Sequence, residues 1–358
     1  MEWASVTARE AISRFKRGAR GLDVRSPGEF FRGHLPKFTN VAILDDEQRH
    51  AVGLRYKQQG QDAAIALGLD LVLPLKAQRL QLWSEALRAT TAEDRILICW
   101  RGGLRSKISA QWLREAGMEG VRVVGGYKAM RAILLEAQEK APALFALGGL
   151  TGAGKTDLLR GRDKTTVLDL ELYANHRGSS FGLRLDSAQP QQQTFENEIG
   201  LAFFESPPNM VVEAESRMIG KCVIPNTVKA AMDRSPMVLL ECGMDDRVRR
   251  IFSEYVQEPL SRAGRPVVHE HLRAALERTQ RRLGGLRHQE ILAELNHAFT
   301  FDEVKLDRHA AWIESLLREY YDPLYAHSLT ADEERIVFRG GFDEVKAYLA
   351  ARLDRRRA

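Results

Sequence analysis

One segment limits what this chain can fold into more than any other: Gly149-Leu150-Thr151-Gly152-Ala153-Gly154-Lys155-Thr156. Its spacing is G-x-x-x-x-G-K-T. It follows the apolar run Leu144-Phe145-Ala146-Leu147 and precedes a helical pattern that begins near Asp157. A strand that enters such a loop and leaves as a helix is the phosphate-binding corner of an α/β domain built on a parallel sheet. The glycines let backbone N–H groups wrap a phosphate, Lys155 reaches a second one, and Thr156 is placed to hold Mg²⁺. Gly149, Thr151, Gly152, Gly154, Lys155 and Thr156 are therefore the expected diphosphate-binding set. Asp169 and Glu213 each close a short apolar run, so either could orient the cation; either could equally cap the next helix. The chain has no guanine-reading Asn/Thr-Lys-x-Asp pattern. A diphosphate other than a nucleotide satisfies the same loop.

The first half carries a second loop of related character. Arg95-Ile96-Leu97-Ile98 reads as a buried strand that ends in Cys99-Trp100-Arg101-Gly102-Gly103-Leu104-Arg105-Ser106. Helical spacing follows over residues 106–116, with Ile108, Trp112 and Leu113 on one face. A loop between a strand and a helix start turns its N–H groups toward an anion, and the same field favours a thiolate. Gly102 and Gly103 allow a tight curl. Arg101 adds charge, and the guanidinium fork of Arg105 can grip an anion with two donors. Cys99 is the expected nucleophile, directed at an anionic sulfur, selenium or phosphorus donor. Cys242 follows an apolar strand and reads as a small core residue, and Cys222 lies in no such loop; a resolving thiol is the alternative for either. Three widely spaced cysteines in 358 residues point to a reducing compartment and not to a disulfide framework.

The length fits two domains of ~100–200 residues each. The reading is α/β throughout. Residues 1–130 alternate short strands, including Leu22-Asp23-Val24, Val41-Ala42-Ile43-Leu44 and Val121-Arg122-Val123-Val124, with helices, as a doubly wound parallel sheet does. Residues 131–142 form a connecting helix and linker, broken at Pro142. Residues 143–358 form the phosphate-loop domain, with Arg-rich helices from about residue 243. No apolar run approaches the ~18 residues of a membrane span. The N-terminus shows no basic segment followed by an apolar one. The expected setting is the cytoplasm, without a membrane partner.

Two polar segments lie between the strands of the second half. One runs from Asp169 through Glu171, Asn175, His176, Arg177, Ser179 and Ser180 to Gly182; the other holds Glu213, Glu215, Ser216 and Arg217. Both are poor in core residues, as binding loops and plain turns both are. The net charge is only +5, with 53 Lys and Arg against 48 Asp and Glu, so charge alone leaves a polyanion partner open. The Arg-rich helices, including Arg247, Arg249, Arg250, Arg273, Arg278, Arg281, Arg282 and Arg287, are the candidate surface for one. A solvated face with i,i+4 pairs would look the same.

Asp23-Val24-Arg25-Ser26-Pro27-Gly28-Glu29-Phe30-Phe31-Arg32-Gly33-His34-Leu35-Pro36 and the cysteine loop together resemble the rhodanese family over about residues 5–130. That family carries sulfur as a cysteine persulfide. Arg105 stands one position later than in the usual rhodanese loop, which implies a wider pocket, closer to the related dual-specificity phosphatases. Ile98 occupies the place of the His that often precedes a phosphatase cysteine. The fusion of this half to the phosphate loop, with Ala174-Asn175-His176-Arg177-Gly178-Ser179-Ser180-Phe181-Gly182, Glu213-Ala214-Glu215-Ser216-Arg217 and Tyr321-Asp322-Pro323-Leu324-Tyr325, resembles the tRNA 2-selenouridine synthase family. The resemblance implies a rhodanese-like sheet joined to a P-loop NTPase-like domain. It implies S-geranylation of wobble 2-thiouridine with geranyl diphosphate, then selenation with selenophosphate. Cys99 would carry selenium as a perselenide, Arg101 and Arg105 would hold the phosphate portion, and Ser106 would complete that loop. The implied partners are tRNA, met by Arg273, Arg281, Arg282 and Arg287, and a supplier of selenophosphate. No tightly bound cofactor is implied. An NTP-driven kinase or ATPase fused to a sulfur carrier remains the alternative.

Overall fold

A computed structural model describes residues 3–185 and 187–353, without the side chains of 327–331. Met1, Glu2 and residues 354–358 of the expected domains lie outside the described residues. The chain forms two compact units. The first comprises residues 1–140 and 191–205, the second 141–190 and 206–358.

The sheet of the first unit has five parallel strands in the order β1-β5-β4-β2-β3. These are Ala4–Val6 (β1), Arg20–Asp23 (β2), Phe38–Asn40 (β3), Arg95–Ile98 (β4) and Val121–Val123 (β5). Ile96, Leu97 and Ile98 are fully buried, as the centre of a sheet covered on both faces requires. The expected strand at Val41–Leu44 is not one. The strand is Phe38–Asn40, and Ile43 and Leu44 instead fill the core beside Trp83 and Leu97. Hydrophobic burial, and not pairing, explains that apolar run.

The expected linker is also different. Gly126–Glu139 is a helix of the first unit, with Tyr127, Met130 and Leu134 fully buried. It packs against the helix Gln192–Phe203, which the chain contributes from far along its length. Arg131 donates to the Gln193 carbonyl at 3.1 Å and to Asn197 at 2.9 Å, and Gly200 lies so close to Leu134 that a Cβ would meet it at 2.6 Å.

The second unit holds another five-stranded parallel sheet, β12-β11-β6-β8-β7. Its strands are Ala143–Gly148 (β6), Val167–Leu168 (β7), Asn209–Glu213 (β8), Met237–Leu240 (β11) and Ile336–Gly340 (β12); a short antiparallel pair, Met218–Ile219 (β9) and Cys222–Val223 (β10), stands apart. Residues 244–332 are helical, as the Arg-rich pattern suggests, and pack around Trp312, Leu272 and Ile291. The chain then returns to the sheet through β12 and the helix Phe342–Leu353. In register, Leu147 pairs with Glu213, which sets that carboxylate beside the start of the phosphate loop.

Candidate functional site

In the first unit, β4 delivers Cys99 to the sheet edge and the helix Leu104–Glu115 begins five residues later. Cys99 is buried, and its thiol donates to the Ser106 hydroxyl at 3.3 Å. Ser106 in turn donates to the Gly103 carbonyl at 3.1 Å. The curl of the loop depends on Gly102 and on Gly126. A Cβ on Gly126 would stand 2.2 Å from the Cys99 carbonyl oxygen, and one on Gly102 would stand 2.5 Å from that of Val123. Gly103 is not under this constraint: its φ is −87° and nothing would meet its Cβ.

Arg105 lies beside the cysteine, but its fork is already occupied. It donates to Glu29 at 2.5 Å and 3.2 Å. An anion must share or displace that carboxylate, because the guanidinium satisfies its donors with the nearest acceptor. Arg101 is exposed. The upstream motif serves the scaffold. Arg25, fully buried, pairs with Asp23 at 2.7 Å, donates to the Gly33 carbonyl at 2.9 Å and lies 3.8 Å from the centre of the Tyr127 ring. It fastens the turn after β2 to the helix that follows the last strand.

In the second unit, the phosphate loop opens on a cavity of about 470 Å³. Thr151, Gly152, Gly154, Lys155 and Thr156 line it, with Glu171, Arg177, Ser179, Glu213, Glu215 and Ser216 from the two polar segments. Gly149 opens the loop, and its N–H donates to the Tyr325 hydroxyl at 2.9 Å. Lys155 donates to the Gly149 carbonyl at 2.7 Å. Burial alone would lower its ammonium, but Tyr325, Glu213, Glu215 and Glu171 outweigh it and hold the group above its ordinary value.

Among the described residues, one oxygen each from Glu171, Glu213 and Glu215 lies within 4.8 Å of the other two. Burial raises all three carboxyls: Glu213 to about 8, with Lys155 pulling the other way, and Glu171 to about 10, with Glu213 and Glu215 adding to the push. Thr156 donates to Glu213 Oε1 at 3.1 Å, while the buried Oε2 has no hydrogen-bond partner. Thr156 and these carboxylates form an all-oxygen donor set with an orphaned buried oxygen. That fits a hard divalent cation such as Mg²⁺.

Other candidates have structural duties. Asp169 caps the helix Leu170–Tyr173 by accepting from the Leu172 N–H at 2.9 Å, so Glu213 and not Asp169 faces the loop. Asn175 adopts φ 49° and donates to Ser187 and to the Ala188 carbonyl. His176 is buried, with Nδ1 unpartnered, and burial lowers its pKa. Ser180 pairs with the Tyr320 hydroxyl at 3.4 Å and Arg217 with Asn226 at 3.0 Å. Arg177 donates to Glu258 at 3.0 Å and Ser179 meets the Tyr255 hydroxyl at 3.2 Å, and both remain on the cavity wall.

The Arg-rich helices divide in the same way. Arg247 is buried, donates to the Thr151 carbonyl at 2.9 Å and grips Asp322 with both arms. Arg250 donates to the Gly152 carbonyl at 2.7 Å and to Asp157 at 3.0 Å. These two hold the phosphate loop in place; Arg247 is withdrawn from the outer surface and Arg250 is half-buried. Arg273 pairs with Glu270, and Arg287 with Glu290 and Glu319. Arg281 and Arg282 are exposed. Sequence reasoning gave no role to Tyr255, took Arg250 only as part of the candidate polyanion surface, and took Tyr321 and Tyr325 only as part of a family motif. Two π-helical stretches, Ser253–Gln257 and Leu317–Tyr321, turn Tyr255 and Tyr321 onto the cavity wall. Such stretches collect at functional sites, but no local sequence signal marks them.

The family model described as "tRNA 2-selenouridine synthase AAA domain" matches residues 142–356. Relatives of similar length match nearly the whole chain. The tRNA 2-selenouridine synthase of Cupriavidus necator is 44% identical, covering 94% of this chain and 95% of that one. That of Pseudomonas entomophila is 44% identical over 93% and 94%. That of Bordetella bronchiseptica is 45% identical over 92% and 93%.

Proposed function

The chain belongs to the tRNA 2-selenouridine synthase family, and from that premise we propose that it is a transferase that replaces sulfur by selenium at the 2-position of a wobble 2-thiouridine in tRNA. The observation that carries this reading is the joint presence of a phosphate-loop cavity of about 470 Å³ and, in the first unit, of a buried cysteine between a strand and a helix start in a glycine-curled loop. No helix among the described residues is long and apolar enough to cross a membrane.

The first step uses the phosphate loop. The 2-thiouridine sulfur attacks C1 of geranyl diphosphate; the S–C bond forms, the C1–O bond breaks, diphosphate leaves, and the N3 proton of the base passes to solvent. Lys155 and the loop N–H groups hold the charge that develops on the leaving group. Thr156, Glu213, Glu171 and Glu215 would hold Mg²⁺, which when bound offsets diphosphate charge. Arg250 keeps the loop in shape through the Gly152 carbonyl.

The second step uses the cysteine loop. Attack of the Cys99 thiolate on the phosphorus of selenophosphate forms an S–P bond and releases hydrogen selenide. Selenide attacks C2 of the geranylated base, geranylthiolate leaves, and the proton on selenium passes to N3. Water then cleaves the S–P bond. No atom changes oxidation state. A perselenide on Cys99, the expectation drawn from sulfur carriers, needs a two-electron oxidation of selenium for which selenophosphate brings no oxidant.

Mass analysis of nucleosides from 2-thiouridine tRNA tests the reading. Incubation with the protein and geranyl diphosphate should give an S-geranylated nucleoside, and addition of selenophosphate should convert it to 2-selenouridine. Unchanged tRNA under both conditions, with NTP hydrolysis instead, would favour the NTP-driven alternative.

A further inference from the structure

A second cavity, of about 580 Å³, lies in the first unit beside the cysteine loop. One wall is the helix Asp46–Val72, which presents Val52, Leu54, Ile65 and Leu69. The other is formed by Leu104 and Ile108, on the helix that leaves the Cys99 loop. The long helix breaks at Gly60, whose φ of 82° only glycine adopts without strain, and so bends around the space. Gly53 faces open space, where a side chain would intrude. Leu54 and Leu104 are 47% and 46% exposed, a costly position for large apolar side chains that cover nothing.

The lining is not neutral in charge. Arg49, His50, Lys57 and Arg105 stand among it and no carboxylate does among the described residues; Glu29, outside the lining, takes the fork of Arg105 and lies 3.7 Å from Arg49, which leaves His50 and Lys57 as cations without that partner. An apolar floor with a cationic rim fits a lipophilic substituent carried on a polyanion. Arg105 and Leu104 belong both to this cavity and to the cysteine loop, so an occupant here reaches the position where selenium is delivered. The phosphate-loop cavity, whose lining also includes Met232, Met237, Ile251 and Leu324, serves the chain as its diphosphate in the first step, and the second step needs a seat beside the cysteine loop.

We infer that this cavity holds the ten-carbon isoprenoid chain of the S-geranylated nucleoside during the selenium-transfer step. The inference rests on the two-step reading above and adds the place where the second substrate is recognised. The chain lies against Ile65, Leu69 and Ile108, the RNA phosphates meet Arg49 and Lys57, and the C–S bond to be broken faces the cysteine loop.

The test uses the full chain and two anticodon stem-loop oligonucleotides, one bearing S-geranyl-2-thiouridine and one S-methyl-2-thiouridine. Binding is read by fluorescence anisotropy and selenation by nucleoside mass analysis. The wild-type protein should prefer the geranylated oligonucleotide by roughly 10- to 100-fold, the range that apolar recognition of several carbons supplies. Ile65→Asp should abolish that preference by placing a charge in the cavity. Leu54→Gln, at an exposed wall position that the core does not need, should reduce it by about 3- to 10-fold. Geranylation of 2-thiouridine by the variants reports that they are folded. A geranyl preference that survives both substitutions, in a protein that carries out both steps, would overturn this inference and leave the two-step reading intact. A dimer that Ile65→Asp dissociates while the preference persists would assign the groove to a second copy of the chain and overturn it as well. Failure of the wild-type protein to geranylate or to convert either oligonucleotide would sink the two-step reading itself.

Discussion

Thr156 donates its hydroxyl to one oxygen of Glu213 at 3.1 Å, and the other oxygen of the same buried carboxylate has no partner. A buried oxygen left in this state is costly, and a divalent cation would satisfy it. Burial pushes the carboxyls of the cluster upward, toward the protonated form, Glu213 to about 8 and Glu171 to about 10. Cation binding must therefore release protons, and affinity should tighten as pH rises from 6 to 8, by up to about tenfold per unit for each proton released. Calorimetric titration with Mn²⁺ in buffers of different ionisation enthalpy checks both the slope and the proton count. Glu213→Gln should remove the binding, and an affinity that is flat with pH would refute the assignment.

Tyr325 and a bound phosphate compete for the same donor of the loop. The Gly149 N–H is held by the Tyr325 hydroxyl at 2.9 Å, and a bound phosphate oxygen would have to take its place. Tyr325→Phe should then tighten binding of inorganic diphosphate by about 2- to 10-fold, the worth of one net hydrogen bond. Lys155→Ala should weaken it by at least about 100-fold, as expected for a buried charge-assisted contact. Isothermal titration of both variants separates the two directions.

The cysteine loop is fixed by backbone contact with the turn after β5. A Cβ on Gly126 would stand 2.2 Å from the Cys99 carbonyl oxygen and 2.5 Å from the Gly102 nitrogen, so Gly126→Ala must push the loop out of place. We expect selenation to fall by at least about 100-fold, the scale of an ångström-sized misplacement at a reacting centre. Geranylation, which the proposed function assigns to the other unit, should change little. Gly103→Ala, where nothing would meet the added carbon, should retain selenation within about threefold. Equal losses in the two variants would contradict this account of the loop.

Glu198 gives a pH effect outside either site. Burial raises its carboxyl to about 7, and Lys37 only partly offsets this. In the unfolded chain the same group titrates near 4.5. Between those values the folded state binds more protons than the unfolded state, so stability falls as pH rises through the window. Glu198→Gln should remove that fall, and urea midpoints at pH 5 and pH 7.5 should draw closer together than in the wild-type protein.

The features legible in the sequence are those fixed by a few adjacent residues. The spacing from Gly149 to Thr156 and the order strand, Cys99, glycines, helix both encode local backbone geometry, and the structure forms both corners. What the sequence hid depends on distant partners. Nothing near Arg105 announces that Glu29, 76 positions earlier, takes its fork. Nothing near Gln192 shows that this helix leaves its neighbours and joins the other unit through Arg131 and Leu134. Asp169 and Glu213 look alike as acids at strand ends. Only the register of β8 against β6 turns Glu213 toward Thr156, while Asp169 spends its oxygen on the Leu172 N–H. The long helix 46–72 escaped notice because its apolar residues line a cavity and leave it little overall amphipathic pattern.

The upstream motif is where family resemblance and energetics meet. Arg25 carries a full charge at a site with no solvent contact, against an Asp23 that is equally buried. Its remaining donors reach the Glu29 and Gly33 carbonyls, and its face lies on the Tyr127 ring. Arg25→Ala leaves the Asp23 carboxylate buried and unpaired and should cost about 3–5 kcal/mol, the usual penalty for breaking one side of a buried pair. The double variant Asp23→Asn with Arg25→Met removes both charges and should recover most of that loss. Arg25→Lys should recover little, because an ammonium cannot serve Asp23, two carbonyls and a ring face with one planar fork. Urea unfolding followed by tryptophan fluorescence measures all three. A single Arg25→Ala variant as stable as wild type would mean that the motif is kept for chemistry at the cysteine loop and not for the scaffold.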